Sequence, residues 1–282
     1  MKALKLKNKN ADIFIPDGSP PLSAIARTTH LCIGSHPDDL EIMAYAAIAE
    51  CYESDENFFT GIVVSDGQGS VRSGKYTDFS SLEFSRIRQE EQKKAAEIGK
   101  YSAAVLLNYQ SSDIKNCENL NLLNDLEKLI LLTRPEVLLL HSPFDQHLSH
   151  IAVLKHSITV LKNILPQYKP RIILGCEVWG SLDWLPEKYK VAMNCEAYPE
   201  LAKQLLKVFK SQIECGKQYD RAVLARRTAN ATFYNAYTED KSSSLTFATD
   251  LSILLDNKDF SIKMYLSDVI NLFGKEISAR YN

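Results

Sequence analysis

The stretch Leu31-Cys32-Ile33-Gly34-Ser35-His36-Pro37-Asp38-Asp39-Leu40 joins an apolar run to a polar turn and a helix start. The run before the turn indicates a buried strand, and the run from Leu40 to Cys51 is typical of a helix. Pro37 is well tolerated at the first helical position, and two carboxylates there suit the positive end of the helix dipole. Because His36 and Asp39 are three residues apart, a helical turn brings both side chains within reach of one ion.

The same layout recurs at His141-Ser142-Pro143-Phe144-Asp145-Gln146-His147-Leu148-Ser149-His150. Residues 136–140 form an almost purely apolar strand pattern, and an amphipathic helix is predicted from Leu148 onward. His147 and His150 therefore lie one helical turn apart at the carboxyl end of a strand. Ligands of open α/β sheets bind at such ends, so the two corners predict one shared pocket.

Strand and helix patterns alternate along the chain. Further strands are predicted at 58–65, 103–107, 171–178 and 190–193, and helices at 82–100, 120–133, 199–233 and 265–277. This spacing is typical of right-handed βαβ crossovers and predicts the α/β class, with a three-layer α/β/α, Rossmann-like fold around a mostly parallel central sheet. Since no Gly-x-Gly-x-x-Gly follows the first strand, the fold carries no dinucleotide implication.

The length of 282 residues and the 45% hydrophobic content allow a sizeable core. We expect residues 1–29 to form an extended N-terminal arm, because their dense Pro and Gly resist regular structure. Residues 30–282 are predicted to form a single domain, with a motif-bearing core at about 30–165 and a C-terminal extension at about 166–282.

Charge and cysteine content restrict the partners and the compartment. The net charge of -2, from 33 basic and 35 acidic residues, gives no reason to expect a nucleic-acid partner. The six cysteines are scattered without a Cys-x-x-Cys pair, which fits a reducing compartment. No signal-peptide pattern is present and no run approaches 18 apolar residues, so we expect a soluble cytoplasmic protein without a membrane span.

The two histidine motifs together resemble those of the LmbE-like, or PIG-L, family of metal-dependent N-acetylglucosaminyl deacetylases. That family has His-Pro-Asp-Asp near its first strand and Asp-x-His-x-x-His further on, which match 36–39 and 145–150 here. Two weaker matches are Ser65-Asp66-Gly67, where the family has Thr-Asp-Gly, and Arg88-Gln89-Glu90-Glu91 with Ala95, where it has Arg-x-x-Glu-x-x-x-Ala. The resemblance covers residues 30–165 well and the remainder loosely.

The resemblance implies hydrolysis of an N-acetylated sugar, typically an N-acetylglucosaminyl compound, to free amine and acetate. We expect His36, Asp39 and His150 to bind the metal, because two imidazoles and one carboxylate leave a fourth position for water, as in catalytic zinc sites. Zinc is predicted, although the same ligands suit Fe2+. The ion lowers the pKa of its water to about 7 and polarises the carbonyl. Asp38 is the expected general base, and His147 is expected to stabilise the oxyanion or protonate the departing amine.

Two further residues are candidates for substrate binding. Arg88 is expected to contact the substrate, with an ion pair to Glu91 on a solvated helix face as the alternative. Asp66 is the strongest candidate in the Gly-rich loop at 66–81, which is otherwise a flexible surface loop.

One position departs from the family pattern. Where the family has an Asp between the two His of the second motif, this chain has Ser149. That Asp is the group that orients the first His, here His147. Asp145, or a carboxylate from another loop, can take its place, and Asp145 and Ser149 are therefore expected just behind the site.

Other polar and aromatic residues are expected to be structural. Trp179 and Trp184 can form an apolar wall for a sugar ring, but core packing is favoured. Three histidines that belong to no paired motif are also expected to be structural: His30, His141 and His156. Of these, His141 is also a candidate for a position behind the metal. Three arginines of the 199–233 region are expected to be solvated: Arg221, Arg226 and Arg227.

Three alternatives stay open. A metal-dependent hydrolase of a phosphoester can use the same ligands, although phosphoryl transfer favours a second ion or more cations. A cofactor-binding module is less favoured, because the chain lacks a glycine-rich phosphate loop. A binding protein that keeps the fold without catalysis is conceivable because of Ser149, whereas Asp38 argues for an active enzyme. The oligomeric state and the remainder of the sugar substrate are not predicted, and a homo-oligomer is allowed.

Overall fold

A mixed sheet of eight strands runs through the part of the chain that the computed structural model describes, residues 4–257 and 259–281. The strands are β1 (Asp12–Phe14), β2 (His30–Gly34), β3 (Phe59–Ser65), β4 (Ala103–Tyr109), β5 (Val137–His141), β6 (Ile172–Cys176), β7 (Lys190–Asn194) and β8 (Leu245–Asp250). Their order is β1-β4-β3-β2-β5-β6-β8-β7. The five adjacent strands β4, β3, β2, β5 and β6 are parallel to one another. In contrast, β1 and β8 run antiparallel to the strands beside them. The predicted mostly parallel sheet is confirmed.

Helices connect these strands. They are α1 (Pro21–Ala26), α2 (Asp39–Met43), α3 (Tyr45–Cys51), α4 (Ser81–Ile98), α5 (Ser111–Lys115), α6 (Leu120–Thr133), α7 (Leu148–Ile164), α8 (Pro199–Lys207), α9 (Lys210–Ile213), α10 (Tyr219–Thr232), α11 (Ile253–Asp256) and α12 (Ile262–Ala279). Local sequence sets several starts: α4 begins with a capping box between Ser80 and Glu83, and the Asn119 side chain caps α6.

The sheet is covered on both faces, as the continuous apolar strands require. Leu31 and Ile33 of β2 belong to one hydrophobic core, which includes residues of α6 and α7. Cys32, between them, belongs to the opposite core, which includes residues of α3 and α4. Neighbouring strand residues point to opposite faces, so the two cores lie on either side of the sheet. The three-layer α/β/α fold is confirmed.

The N-terminal segment is more regular than expected. β1 pairs antiparallel with β4 at the edge of the sheet, and Pro21 begins α1. The expectation that residues 1–29 lack regular structure is therefore wrong for these two elements. Proline is compatible with the first turn of a helix, because the N–H that it lacks has no partner there. Residues 1–3, 258 and 282 lie outside the described residues, and the division into arm, core and extension stays a prediction.

The C-terminal part contains two further differences. The predicted helical region at 199–233 consists of α8, α9 and α10, and Gly216 between the last two has a φ of +93°. β8 was not expected, and it lies between β6 and β7 in the sheet.

No helix in 4–257 or 259–281 combines the length and apolar character that a membrane span requires.

Candidate active site

Two strand-to-helix corners meet at the carboxyl edge of the sheet. β2 and β5 are adjacent and parallel, so the residues that follow them lie side by side. His36 Nδ1 is 3.1 Å from His150 Nε2, and Asp39 Oδ2 is 3.3 Å from each of these two nitrogens. The convergence expected from the motif spacing is observed.

This arrangement fits one metal ion. In a tetrahedral site with bonds of about 2.1 Å, two ligand atoms are separated by about 3.4 Å, and the three atoms of His36, Asp39 and His150 lie close to such separations. Within the described residues, two overlapping sets of three side chains have ligand atoms less than 4.8 Å apart. These sets are His36, His147 and His150, and Asp39, His141 and His150.

Electrostatics in the cluster favours a charged carboxylate. Burial raises the pKa of Asp39, but attraction to His150 and His141 outweighs burial and holds that pKa well below its usual range. The ionised form is the one that binds a metal. Its Oδ2 also accepts hydrogen bonds from the backbone N–H groups of Ser35 at 3.0 Å and His36 at 2.7 Å, which orient the carboxylate.

His141 is closer to the centre than a structural histidine would be. Its ring stacks on His150 with a centroid distance of 3.9 Å, and its Nε2 lies 3.4 Å from Asp39 Oδ2. The Ser35 N–H donates to that same nitrogen at 2.9 Å, so its lone pair already has a partner. Burial and the neighbouring His150 lower the pKa of His141 to about 4. His141 is therefore better suited to a position behind His150 than to metal binding. The sequence signal for this role was its location as the last residue of β5.

Asp145 contacts the second histidine of its motif rather than the first. Its Oδ2 is 3.1 Å from His150 Nδ1, which leaves Nε2 facing the cluster, as in carboxylate–histidine–metal triads. Its other oxygen accepts the backbone N–H of His147 at 2.7 Å. The expectation that Asp145 orients the ring of His147 is therefore wrong.

A backbone group orients His147 instead. His147 occupies the N-cap of α7, and its Nδ1 accepts the Ser149 N–H at 3.3 Å. An accepting Nδ1 places the proton of the neutral ring on Nε2. Ser149 thus contributes its backbone, and its buried Oγ has no hydrogen-bond partner within the described residues.

Asp38 is paired with Arg88, which is only 2% exposed. Arg88 Nη2 donates to Asp38 Oδ2 at 3.1 Å and to the carbonyl of Pro37 at 2.6 Å. The alternative ion pair with Glu91 is wrong, since Glu91 accepts hydrogen bonds from Ser211. Burial raises the pKa of Asp38 well above its usual range even though Arg88 opposes this shift.

A pocket of about 490 Å³ opens over these groups. His36, Asp38, Asp39 and His147 line it, and Arg88, Asp66 and Trp179 are among its other wall residues. At least one predicted residue from each of the four motifs therefore lines this one cavity at the sheet edge.

Comparison with known proteins identifies this arrangement. Residues 31–161 match the model of the family described as PIG-L, GlcNAc-PI de-N-acetylase. All four sequence motifs lie within the matched residues, so this part of the chain is similar to PIG-L, or LmbE-like, domains. No curated protein matches the sequence.

Solved structures share this fold. N,N'-diacetylchitobiose deacetylase from Pyrococcus horikoshii is 16% identical with a TM-score of 0.61, covering 81% of this chain and 85% of its own. The 4-carboxy-2-hydroxymuconate hydratase GalB from Pseudomonas putida KT2440 is 16% identical with a TM-score of 0.58, covering 79% and 96%. The zinc-inhibited form of teicoplanin deacetylase Orf2 is 11% identical with a TM-score of 0.54, covering 78% and 97%. At these identities the similarity establishes the fold only. Both deacetylases and a hydratase have this fold.

Behind these motifs, a buried network that the sequence did not predict holds Asp38. Gln92 Oε1 accepts the Asp38 N–H at 3.1 Å, while Gln92 Nε2 donates to Glu41 Oε1 at 2.7 Å. The Tyr101 hydroxyl donates to the same Glu41 oxygen at 2.7 Å. Gln92 lies four residues after Arg88, so their shared helix face in α4 was the one available signal.

The two tryptophans have different places. Trp179 is 40% exposed and lines the pocket, with its ring 6.2 Å from that of Tyr219. Trp184 packs edge-on against Phe144 and Phe273. The expectation of core packing is confirmed for Trp184 only.

Several remaining residues are structural. Arg227 is 2% exposed and donates to the Glu41 carbonyl at 2.9 Å, so the expectation that it is solvated is wrong. Arg226 donates to the carbonyl of Val178 at 2.6 Å. His156 is buried, with its Nε2 at 2.9 Å from the Ile114 carbonyl.

Proposed function

We propose that the protein is a metal-dependent N-deacetylase that hydrolyses the N-acetyl group of an N-acetylglucosamine-type sugar to the free amine and acetate. The observation that carries the proposal is the set of ligand atoms of His36, Asp39 and His150 at 3.1 to 3.3 Å from one another, in a pocket that Asp38 also lines. The similarity of residues 31–161 to the PIG-L family supports the same reaction. The proposed ion is zinc, with Fe2+ as the alternative.

When bound, the ion supplies a Lewis acid for the carbonyl and activates water at neutral pH. Asp38 is the proposed general base that takes a proton from the attacking water. Arg88 fixes its carboxylate, and burial raises its pKa, which makes the carboxylate a stronger base than that of an exposed aspartate.

His147 is proposed to stabilise the oxyanion rather than to start as a charged acid. Burial and the nearby His150 lower its pKa, and its Nδ1 accepts the Ser149 N–H. The neutral ring therefore carries its proton on Nε2, and that N–H can donate to the carbonyl oxygen as negative charge develops.

Arg88 and Asp66 line the pocket and remain the proposed substrate contacts. Arg88 Nη2 is occupied by Asp38 and Pro37, so we assign it mainly to positioning the base. Asp66 accepts two hydrogen bonds from Gln68 and keeps acceptor capacity for a sugar hydroxyl.

The test is acetate release from a panel of N-acetylglucosaminyl compounds by protein loaded with one equivalent of zinc or Fe2+. We expect turnover by the wild type and a loss of about 100- to 10,000-fold in Asp38→Asn, with metal content unchanged. Asp268→Asn, an exposed aspartate of α12, is the matched control. Equal rates for Asp38→Asn and wild type would refute the base assignment.

A loaded protein that releases no acetate from any compound would contradict the deacetylase proposal. Phosphoesters come next in that case, since Lys115 and Lys217 also line the pocket and suit an anionic group. We further propose a cytoplasmic location, because all six cysteines are free.

A further inference from the structure

A second cavity, of about 570 Å³, adjoins the catalytic pocket. Asp66 lines both cavities, so the two adjoin at this residue. The second cavity lies beside the residues that follow β3 and β4, the same carboxyl edge of the sheet that carries the catalytic groups.

The wall of this second cavity is rich in side-chain amides. Eight of its fifteen lining residues are Asn or Gln: Asn8, Asn10, Gln68, Gln89, Asn108, Gln110, Asn119 and Asn121. The cations of Lys7 and Arg86 balance the carboxylates of Asp66 and Asp113. Amides donate and accept hydrogen bonds equally, as sugar hydroxyls do, and the balanced charge selects neither a phosphate nor another strongly charged group.

Part of this hydrogen-bonding capacity is free. Gln110 and Asn121 are exposed residues that line the cavity, and their side chains make no hydrogen bond to the rest of the described chain. Asn108 Nδ2 donates to the Asn10 carbonyl at 2.8 Å, whereas its Oδ1 is buried without a partner among the residues described. A buried acceptor without a partner is uncommon in folded proteins and is satisfied when a ligand donates to it.

The N-terminal wall of the cavity is held in place. The buried carboxylate of Asp125 accepts the backbone N–H groups of Lys7 at 2.5 Å and Asn8 at 3.0 Å, and the Tyr109 hydroxyl at 2.8 Å. Asn8 Nδ2 donates to the carbonyl of Leu107 at 2.7 Å. These contacts fix residues 7–8 against the end of β4, so the cavity does not have to be ordered by its ligand.

We propose that this second cavity binds a further neutral, hydroxyl-rich unit of the substrate, a second sugar ring next to the N-acetylated ring in the catalytic pocket. The proposal rests on the proposed deacetylase function and names its substrate class as a disaccharide or longer saccharide. Asp66 stands between the two rings and can accept a hydroxyl from either.

The kinetic test compares N-acetylglucosamine with its β-1,4-linked disaccharide. We expect a higher kcat/KM for the disaccharide in the wild type. The double variant Gln110→Ala, Asn121→Ala should reduce the ratio of the two kcat/KM values about tenfold, because it removes two hydrogen-bonding groups from the second ring only. Asn271→Ala, an exposed asparagine of α12 that lines neither cavity, should leave the ratio unchanged.

A binding test separates the two proposals. Calorimetric titration of Asp38→Asn protein with each sugar measures affinity without turnover, with and without the double substitution. Acetate release with no preference for the disaccharide in kinetics or binding would overturn the second site and leave the deacetylase function standing. Tighter disaccharide binding that the double substitution removes, without acetate release from any sugar, would support the second site and overturn the function.

Discussion

Asp38 has a φ of +98°, in the left-handed region that residues other than glycine seldom adopt. Backbone strain of this kind persists only when surrounding contacts over-determine the conformation, and it concentrates at functional sites. Here Gln92 accepts the Asp38 N–H, and Arg88 binds both the Asp38 carboxylate and the carbonyl before it. Glu41 in turn fixes the amide of Gln92. The proposed base is therefore held by residues from α4 and α2.

Substitution of Gln92 tests this positioning role. Gln92→Leu removes the acceptor for the Asp38 N–H, and we expect kcat to fall by about 100-fold while KM and metal affinity change little. Tyr101→Phe removes a hydrogen bond to Glu41 and leaves the contact between Gln92 and Asp38 intact. Tyr101→Phe should thus lower stability with little effect on kcat. Equal losses of kcat in the two variants would indicate a purely structural role for Gln92.

Glu41 should make stability depend on pH. Burial raises its pKa from the ordinary 4.5 to about 7, although Tyr101 and Gln92 hydrogen bonds oppose the shift. In the unfolded chain Glu41 loses its proton near pH 4.5, so between pH 4.5 and 7 the folded state binds more protons. Its stabilising contribution is complete below pH 4.5 and is lost as pH rises through 7, a total of about 3 kcal/mol.

Urea denaturation of metal-free protein across this pH range measures the effect. The difference in unfolding free energy between wild type and Glu41→Gln should change by about 3 kcal/mol between pH 4.5 and 7. The contributions of the other titrating groups are the same in both proteins and therefore cancel in this difference. Parallel curves for the two proteins would show that Glu41 ionises normally in the fold.

At the scale of elements, the N-terminal segment is tied to α6 by one side chain. Asp125 is 1% exposed, and its carboxylate accepts hydrogen bonds from Lys7, Asn8 and Tyr109. β1 adds a short antiparallel pairing with β4. The segment is therefore part of the folded unit at the edge of the sheet.

Asp125→Ala should lower the free energy of unfolding by about 3 kcal/mol, because it leaves donors without an acceptor in a largely buried place. Tyr109→Phe removes one of the same hydrogen bonds and should cost about 1 kcal/mol. Asp268→Ala, on the exposed face of α12, is the control and should stay within about 0.5 kcal/mol. Chemical denaturation checks all three, and a loss for Asp125→Ala no larger than the control would contradict the anchoring role.

At the scale of the whole molecule, the proposed metal joins two corners of the fold. His36 and Asp39 follow β2, whereas His150 belongs to α7, which follows β5. Metal binding to the folded state alone stabilises it by mass action.

Removal of metal by a chelator should lower the free energy of unfolding by about 3 kcal/mol when zinc is present at 100 times its Kd. Thermal denaturation with and without chelator measures this change. His150→Ala should abolish the response to chelator, whereas His156→Gln, outside the cluster, should keep it. A wild-type Tm that does not change on chelation would argue against a metal ligand set here.

Local sequence patterns determined much of this protein. The apolar runs of β2 and β5, the turns that follow them and the spacing of His36, Asp39 and His150 predicted the three-layer fold and the meeting of the two corners. These features depend on residues close in sequence and on the rule that parallel strands end at one edge. β8 escaped prediction because strand pairing at that position depends on neighbours distant in the chain.

Tertiary structure alone decided which side chains became partners. Asp145 faces His150 and not the ring of His147, Arg88 is buried against Asp38, and Gln92 completes that contact. The packing of separate elements selects one partner among several of suitable chemistry, and spacing along the chain carries no record of that choice. The sequence by itself thus determined the fold and the proposed metal ligands, whereas the hydrogen-bond network around the base and the second cavity exist only once distant segments are packed together.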